Sequence, residues 1–228
     1  MKYPKRKKKI TTAGEAIVAV THDYYELLSI PEECITLDVC LTAVKQYGDM
    51  LRYVPSRLKT RELCLAAVEK CGNALAHVPE KLKTAELCLI AVQHDAQSPS
   101  LAECALDYVP ERHKTRELCL AAVQHWGLAL IDVPEKRKTP EICFVAVQQC
   151  GEALEFVPEK LKTAELCLIA VQQSGYGYAL RFVPDDLMTH DLCLAAIHKH
   201  PHALQFVPKE LKTAELCLAA AQEGTICG

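Results

Sequence analysis

The chain has few of the features by which membrane proteins and dedicated nucleic-acid binders are recognised. It has 228 residues with a formal net charge of only −3, and it contains 9 glycines and 1 tryptophan. No apolar run approaches the roughly 18 residues that a membrane span needs. The strong basic excess of a dedicated nucleic-acid binder is also missing. The N-terminus is basic, but the apolar stretch of a secretory signal does not follow it. We therefore expect a cytoplasmic protein without a membrane segment.

Motifs of catalysis and of metal binding are missing as well. The sequence has no nucleophile–base signature, glycine-rich phosphate loop, HExxH motif or paired-carboxylate catalytic signature. Its 13 cysteines do not form closely spaced zinc-binding pairs, because Cys64 and Cys71, like Cys143 and Cys150, are seven residues apart. We therefore expect no enzymatic activity, no cofactor and no metal. Three alternating histidines near one helix end are interpreted as variable surface residues: His198, His200 and His202.

A proline that recurs at a nearly fixed interval defines a repeat. Five of the seven spacings between successive prolines are 24 residues, and the other two are 31 and 26. Each proline is followed five residues later by a threonine and nine residues later by a cysteine. Self-similarity of this period indicates a stacked array, in which each unit buries its apolar face against its neighbours. The anchor prolines are Pro31, Pro55, Pro79, Pro110, Pro134, Pro158, Pro184 and Pro208.

Each unit has the pattern of a long helix and a short helix joined by a tight bend. In one unit Thr163 precedes the helical run as its N-cap, and Glu165 in the first turn complements the helix dipole. About ten residues later the long helix ends at Gly175, which we expect in the left-handed conformation. The Ala-Leu-x-x-Val segment that follows has room for one or two turns, in part 3₁₀. Four other units have their glycine at Gly48, Gly72, Gly127 and Gly151.

These patterns predict an all-α fold, a right-handed α-solenoid of two-helix repeats about 24 residues long. We expect a basic arm over residues 1–11 and a single solenoid over 12–228, with a degenerate cap at 12–30 and nine long helices. Six consecutive apolar residues, as in 166–171, predict long helices that are buried on nearly all sides. Insertions near 94–104 and 175–178 interrupt the stack. Repeats begin near residues 31, 55, 79, 110, 134, 158, 184 and 208.

The runs LKTAELCLIAV at 161–171 and GEALEFVPE at 151–159 resemble the repeat of a bacterial family known as domain of unknown function 4116. The resemblance covers nearly the whole chain and implies a curved helical solenoid. It brings no catalytic motif with it. The repeat is also similar to variant leucine-rich repeats, which alternate an α-helix with a 3₁₀ segment. Val-Pro at the bend and cysteine in the helix are unusual for the repeat of domain of unknown function 4116.

Eight of the cysteines occupy one position of the repeat. A ladder of disulfides is disfavoured, because packed helices lie about 8–10 Å apart whereas disulfide-bonded Cα atoms lie within about 7 Å. We interpret these thiols as small buried hydrophobic groups. A redox-responsive or metal-responsive sensor is a third class of function that uses them. The row comprises Cys40, Cys64, Cys88, Cys119, Cys143, Cys167, Cys193 and Cys217. Cysteines off this row are expected to be more exposed, with Cys227 the most reactive: Cys71, Cys104, Cys150 and Cys227.

Residues that follow each long helix vary from unit to unit, whereas the scaffold positions recur. A constant scaffold with a changing surface is typical of a ligand-binding face, and neutral drift of solvent-facing residues is the alternative. Trp126, the only tryptophan, is either a binding anchor or a core residue beside the larger insertion. The candidate binding residues are Trp126, Leu128, Ile131, Tyr47, Arg52, Tyr178 and Arg181.

These observations predict a monomeric repeat scaffold that binds another protein through the variable face. The alternative is a nucleic-acid-binding repeat protein that uses the basic arm, residues 2–9, together with a ridge of lysines in the bends. Glutamates in the same bends and the net charge of −3 rank this alternative second. The lysines of the ridge are Lys59, Lys83, Lys114, Lys138, Lys162 and Lys212.

Overall fold

The computed structural model describes residues 10–95 and 104–226, with side chains up to residue 223. Over these residues the chain forms α-helices and 3₁₀ helices and no strand, which confirms the all-α repeat solenoid. It divides into two compact units, residues 1–113 and residues 114–228. Most of the basic arm, the centre of the 94–104 insertion and Cys227 lie outside the described residues. One continuous array over 12–228, and its right-handed sense, stay predictions.

The predicted long helices are α-helices, and the described residues contain all nine. The first unit holds α1 (Ala13–His22), α2 (Leu37–Gln46), α3 (Arg61–Lys70) and α4 (Ala85–His94). The second unit holds α5 (Arg116–His125), α6 (Pro140–Gln149), α7 (Ala164–Gln173), α8 (His190–Lys199) and α9 (Ala214–Ile226). The first eight have 10 residues each. Isolated helices of that length are marginal in water, so packing against neighbours stabilises them.

Threonine N-caps start the α-helices, as predicted. The Thr115 hydroxyl oxygen accepts a hydrogen bond of 3.2 Å from the backbone N–H of Leu118. Pro140 is in the first turn of α6, where its missing N–H costs nothing. The caps are Thr12, Thr36, Thr60, Thr84, Thr115, Thr139, Thr163, Thr189 and Thr213.

The short helix predicted before the anchor proline is a 3₁₀ helix, and the predicted bend after the proline contains a second, three-residue 3₁₀ helix. The residue before the proline is extended, as Val157 is with φ −76° and ψ 127°, because the proline ring disfavours the helical conformation there. Three-residue 3₁₀ helices follow the prolines, from Glu32–Cys34 to Lys209–Leu211. The 3₁₀ helices before the prolines, called the long 3₁₀ helices below, are Tyr24–Ser29, Gly48–Tyr53, Gly72–His77, Ala105–Tyr108, Gly127–Asp132, Gly151–Phe156, Tyr178–Phe182 and Pro201–Phe206.

The prediction that a left-handed glycine ends each long helix is wrong. Among the described residues only Gly177 has a positive φ, of 75°. Gly151 instead begins a long 3₁₀ helix, and a Cβ atom there would overlap the carbonyl oxygen of Ala170 in the next repeat. Glycine is therefore required because successive repeats approach closely. The same overlap would occur at Gly48 with Ala67, at Gly72 with Ala91 and at Gly127 with Ala146.

The hydrophobic core lies between the α-helices and the long 3₁₀ helices. α7 contacts α6 and α8 on its flanks and two long 3₁₀ helices on a further side. Leu166 and Val171 are accordingly buried, but Leu168 is 40% exposed. The prediction of helices buried on nearly all sides is wrong, because one side of each α-helix in this layer faces solvent.

Most of the cysteine row is buried, as predicted, but Cys217 is exposed. Within each unit the α-helices of successive repeats contact one another, whereas no described element follows α9. Cys104, which we expected to be more exposed, is also buried, and its sulfur accepts a hydrogen bond from the backbone N–H of Leu106 at 3.4 Å. Cys71 and Cys150 are half-buried. Burial raises the pKa of three row thiols to about 11: Cys40, Cys88 and Cys143.

Candidate binding face on the long 3₁₀ helices

The backbone of the repeat sets the positions of the variable side chains, whatever residue is present there. Trp126 is the C-cap of α5 and has an extended backbone with φ −144° and ψ 108°. Its N–H donates to the carbonyl of Ala122, and its own carbonyl accepts from the N–H of Ala129. These bonds involve only main-chain groups. Side chains at this position can therefore change from repeat to repeat without changing the turn. The same C-cap geometry is found at Tyr47, Cys71, Cys150 and His200.

Trp126 lies at the C-cap of α5, and Leu128 and Ile131 lie on the long 3₁₀ helix Gly127–Asp132 that follows it; these three apolar residues are called the Trp126 group below. Ile131 is 55% exposed, while Trp126 and Leu128 are half-buried. Trp126 is therefore not a fully enclosed core residue, and part of its ring remains accessible to a partner.

Tyr178 and Arg181 join a second group that the sequence did not predict as a group. The Tyr178 ring lies 5.6 Å from the ring of Phe206, and the Arg181 guanidinium lies 5.6 Å from the same ring. Arg181 also lies 5.8 Å from the ring of Phe182. Tyr176, 6.2 Å from Tyr178, is 74% exposed. The long 3₁₀ helix Gly151–Phe156 separates this group from the Trp126 group and contacts the 3₁₀ helices of both.

Tyr47 belongs to an aromatic group in the first unit. Its ring stacks on the ring of Tyr24 at 5.3 Å, and Tyr24 in turn lies 4.6 Å from Tyr25. Burial raises the pKa of Tyr24 and of Tyr47, and nearby tyrosines add to the effect. The phenol groups therefore present uncharged rings over the whole physiological range.

Arg52 lies on the long 3₁₀ helix that follows Tyr47. Its guanidinium lies 5.3 Å from the ring of Tyr53 and 3.5 Å from the carboxylate of Asp49. Asp49 also lies 3.2 Å from His77 in the next repeat. Burial lowers the pKa of His77, although the Asp49 carboxylate partly opposes that effect.

A cluster of hydrogen-bonded polar residues, called the hub below, lies in the middle of the variable face in the second unit. It consists of Cys150, Glu152, Ser174 and His200. The Glu152 carboxylate accepts hydrogen bonds from the Ser174 hydroxyl at 2.7 Å and from the Cys150 thiol at 3.3 Å. Burial alone would raise the pKa of Glu152, but the hydrogen bonds from Ser174, its own backbone and Cys150 hold that pKa below its usual value. Burial and then Glu152 raise the pKa of Cys150 to about 11. The hub therefore stabilises the loop at the two-residue insertion, since the Ser174 carbonyl also lies 2.9 Å from the His200 ring.

The lysines of the predicted ridge do not form an exposed basic surface. The Lys162 side chain is only 5% exposed, and its ammonium donates to the carbonyl of Phe182 in the next repeat at 2.9 Å. Glu159 in the same bend also pairs with it, at 2.7 Å. Burial lowers the pKa of Lys59. Four of the six lysines connect successive repeats in this way, whereas Lys138 pairs with Glu135 in its own bend at 2.6 Å and Lys212 is exposed. The same bond to a 3₁₀ carbonyl is made by Lys59, Lys83 and Lys114.

Sequence reasoning missed the rings that complete the aromatic groups. The missed residues have a signal in the sequence, since the position two before the anchor proline is usually aromatic. The backbone carbonyl of this residue accepts a hydrogen bond from the lysine of the previous repeat, and its side chain lies on the variable face. The aromatic residues at this position are Tyr53, Tyr108, Phe156, Phe182 and Phe206.

Two further findings concern metals and membranes. Across 10–95 and 104–226, no group of three or more histidine, cysteine, aspartate and glutamate residues is arranged to hold a metal ion. His198 lies 3.3 Å from Glu223 instead. Within the same residues no α-helix has the length and hydropathy to cross a membrane.

Comparison with known proteins gives one match. A family model described as Domain of unknown function (DUF4116) matches residues 36–83, 60–114, 115–162, 139–188 and 164–212. Each match spans about two of the 24-residue units, so the matches overlap by one repeat within each half of the chain. No curated protein and no solved structure matches the chain.

Proposed function

Because the chain belongs to the DUF4116 family, whose description names no activity, we propose its function from its geometry: a non-catalytic repeat scaffold that binds another protein. The binding face is formed by the long 3₁₀ helices and the C-caps of the α-helices. The proposal includes a cytoplasmic location and a monomeric state, which rest on the sequence alone.

One observation carries the proposal. Large apolar side chains are exposed at positions whose chemistry changes from repeat to repeat, while the scaffold beneath them stays constant. The position three residues before the anchor proline holds Arg52, Asp107, Ile131, Glu155 and Arg181 in different units. Ile131 is 55% exposed there, although burying it would be favourable. Exposed apolar and aromatic groups with nearby arginines are typical of protein-binding hot spots.

The predicted alternative, nucleic-acid binding, loses much of its support. Its ridge depended on lysines in the bends, and most of those ammonium groups are directed at backbone carbonyls of the next repeat. Phosphate contacts would have to come from other cations.

A pull-down from extract of the native cell, followed by affinity measurement with the captured protein, tests the proposal. Trp126→Ala and Ile131→Ala should each keep the melting temperature and weaken binding, Trp126→Ala by about 2 kcal/mol or more. Lys160→Ala changes an exposed residue outside the long 3₁₀ helices and serves as the control with unchanged binding.

Three outcomes contradict the proposal. If Trp126→Ala destabilises the fold by about 3–5 kcal/mol and changes binding only through unfolding, the ring is part of the core. If Trp126→Ala and Ile131→Ala change neither stability nor affinity, the face is not the binding surface. Salt-sensitive retention on heparin, without a protein partner, would favour nucleic acid instead.

A further inference from the structure

A row of large apolar side chains runs along the solvent-facing side of the α-helices, away from the variable face. It consists of the fifth residue after each N-cap threonine from Thr36 to Thr213, and we call it the apolar row. Phe144 and Leu168 are each 40% exposed, and Leu218 is 59% exposed. Single exposed apolar residues are normal, but a contiguous row marks an interaction surface. Each unit has its own part of the row, Leu41, Leu65 and Leu89 in the first unit and Leu120, Phe144, Leu168, Leu194 and Leu218 in the second, none of them buried.

Carboxylates flank the apolar row one helical turn toward the N-terminus. Residues three apart share a face of an α-helix, so each carboxylate is beside its apolar neighbour. In the second unit Arg116 pairs with Glu141, and His190 lies 3.6 Å from Glu215. Arg116 and Arg137 also act on Glu117. The five carboxylates still outnumber these nearby cations, so the row is negatively charged. The carboxylates are Glu117, Glu141, Glu165, Asp191 and Glu215, all exposed.

Exposed amides flank the same row one turn toward the C-terminus. Gln124, Gln148 and Gln172 each lie four residues after an apolar-row residue. An amide side chain both donates and accepts hydrogen bonds. An extended peptide has free backbone N–H and C=O groups for such bonds, whereas an α-helix has already used its own.

The spacing of the rows also suits an extended chain. The α-helices of the second unit contact one another in sequence order, and packed helices are about 8–10 Å apart. A polyproline II chain repeats its side-chain direction every third residue, or about 9 Å. Such a chain lying across the α-helices would place every third side chain near one apolar-row residue. A shallow crevice between α3 and α4 in the first unit is lined by Leu65 and Ile90 together with Arg61 and Glu86.

We infer that this helix face is a second binding site, which takes an extended basic peptide segment with an apolar side chain at every third residue. The apolar row receives the apolar side chains, the carboxylates pair with lysine or arginine between them, and the glutamines bond the peptide backbone. The inference is independent of the proposed function, because it involves none of the residues on the variable face.

Fluorescence anisotropy with a labelled peptide of about 15 residues that repeats Leu-Lys-Pro tests the inference on the full chain. We expect saturable binding that weakens as salt increases. Phe144→Ser with Leu168→Ser should weaken it at least 10-fold, and Glu117→Gln with Glu165→Gln should weaken it several-fold at low salt only. Ile131→Ala, on the variable face, is the matched control and should leave the dissociation constant unchanged. Circular dichroism should show every variant folded at the assay temperature, although Phe144→Ser with Leu168→Ser should lower the melting temperature, because these side chains are only 40% exposed.

Peptide controls test the inference without changing the protein. A Ser-Lys-Pro peptide, which keeps the charge, and a Leu-Glu-Pro peptide, which reverses it, should both bind at least 10-fold more weakly. The inference is overturned if the Leu-Lys-Pro peptide shows no saturable binding, if Ser-Lys-Pro binds equally well, or if the Phe144 and Leu168 changes have no effect in a folded variant. If a labelled single-stranded oligonucleotide binds more tightly and loses binding in that variant, the face takes nucleic acid instead.

Discussion

Glycine at the start of a long 3₁₀ helix acts through the space that it leaves for the next repeat. At Gly151 the absent Cβ lets the Ala170 carbonyl approach the backbone. A Cβ atom at position 151 would collide with this carbonyl oxygen. Gly151 belongs to a 3₁₀ helix and Ala170 to α7, so neither backbone can move without disturbing its helix. Gly175, in the two-residue insertion, has no such neighbour within 4 Å.

Replacing Gly151 with alanine should therefore destabilise the protein by about 2–3 kcal/mol, the range of an overpacked core. Gly175→Ala is the control and should leave stability unchanged or raise it by about 0.5 kcal/mol, because alanine restricts the unfolded chain. Urea unfolding of the two variants measures both free energies. Equal effects would mean that the close approach at Gly151 does not constrain the repeat stack.

The buried bend lysine is the second residue with a defined structural role. Lys162→Met should cost about 1–3 kcal/mol, because the carbonyl of Phe182 loses its donor inside the stack. Met188 occupies the equivalent position of the next repeat, so the shape of methionine is tolerated there. Lys160→Met, an exposed change in the same 3₁₀ helix, should stay within about 0.5 kcal/mol of wild type. Similar losses in the two variants would show that the bond to Phe182 adds nothing to stability.

At the scale of the element, each repeat contains one short α-helix and two 3₁₀ helices. The α-helix starts at a threonine and ends where its last carbonyls bond the C-cap N–H, as the Ala122 carbonyl does with Trp126. Ten-residue helices cannot form stably alone. Their boundaries therefore depend on local caps, while their stability depends on the neighbouring repeats.

The cap at Thr115 can be tested directly. Thr115→Ala should cost about 1 kcal/mol, since the N–H of Leu118 loses its acceptor. Thr115→Ser keeps the oxygen and should be nearly neutral. Thermal unfolding of the two variants compares them, and a silent alanine variant would mean that the hydroxyl does not stabilise the start of α5.

At the scale of the whole molecule, the cysteine row couples stability to pH. Burial raises the pKa of Cys40, Cys88 and Cys143 to about 11, above the usual value of about 8.5. The folded state therefore keeps protons that the unfolded state loses. The stabilising contribution of these thiols is complete below about pH 8.5 and is lost as the pH rises through about 11. Lys59, with its lowered pKa, partly offsets the loss, because deprotonation relieves a buried charge.

The free energy of unfolding should accordingly fall between about pH 8.5 and pH 11, by about 1–3 kcal/mol for each buried thiol. Cys143→Ala should reduce this fall in the free energy of unfolding by the contribution of one thiol, although it lowers stability at every pH. Leu168→Ala removes no titrating group and is the control that should leave the pH dependence as it is. Denaturant titrations across this range, under reducing conditions, measure the three curves. A Cys143→Ala curve parallel to wild type would show that the buried thiol does not contribute.

The periodic sequence by itself determined the repeat, its α-helices and their caps. Threonine, proline and cysteine recur at fixed offsets, and capping and proline geometry depend on a few adjacent residues. For that reason the start of α6 at Thr139 and the burial of Cys143 could be predicted from a single unit. Of the variable face, the sequence located Trp126, Ile131, Tyr47 and Tyr178 as candidates, since they interrupt an otherwise constant pattern. It could not group them with Phe206 or Tyr24, which lie in other repeats.

Only the tertiary structure decided what the neighbouring repeat does to each side chain. It buries the ammonium of Lys162, leaves Cys217 uncovered and makes Gly151 a contact point for a carbonyl. It also leaves one side of each α-helix in solvent, so that Leu168 is exposed in a run of six apolar residues. Composition and period describe one repeat, whereas burial is set by the distance between neighbouring repeats. That distance is fixed by packing, which no single repeat contains.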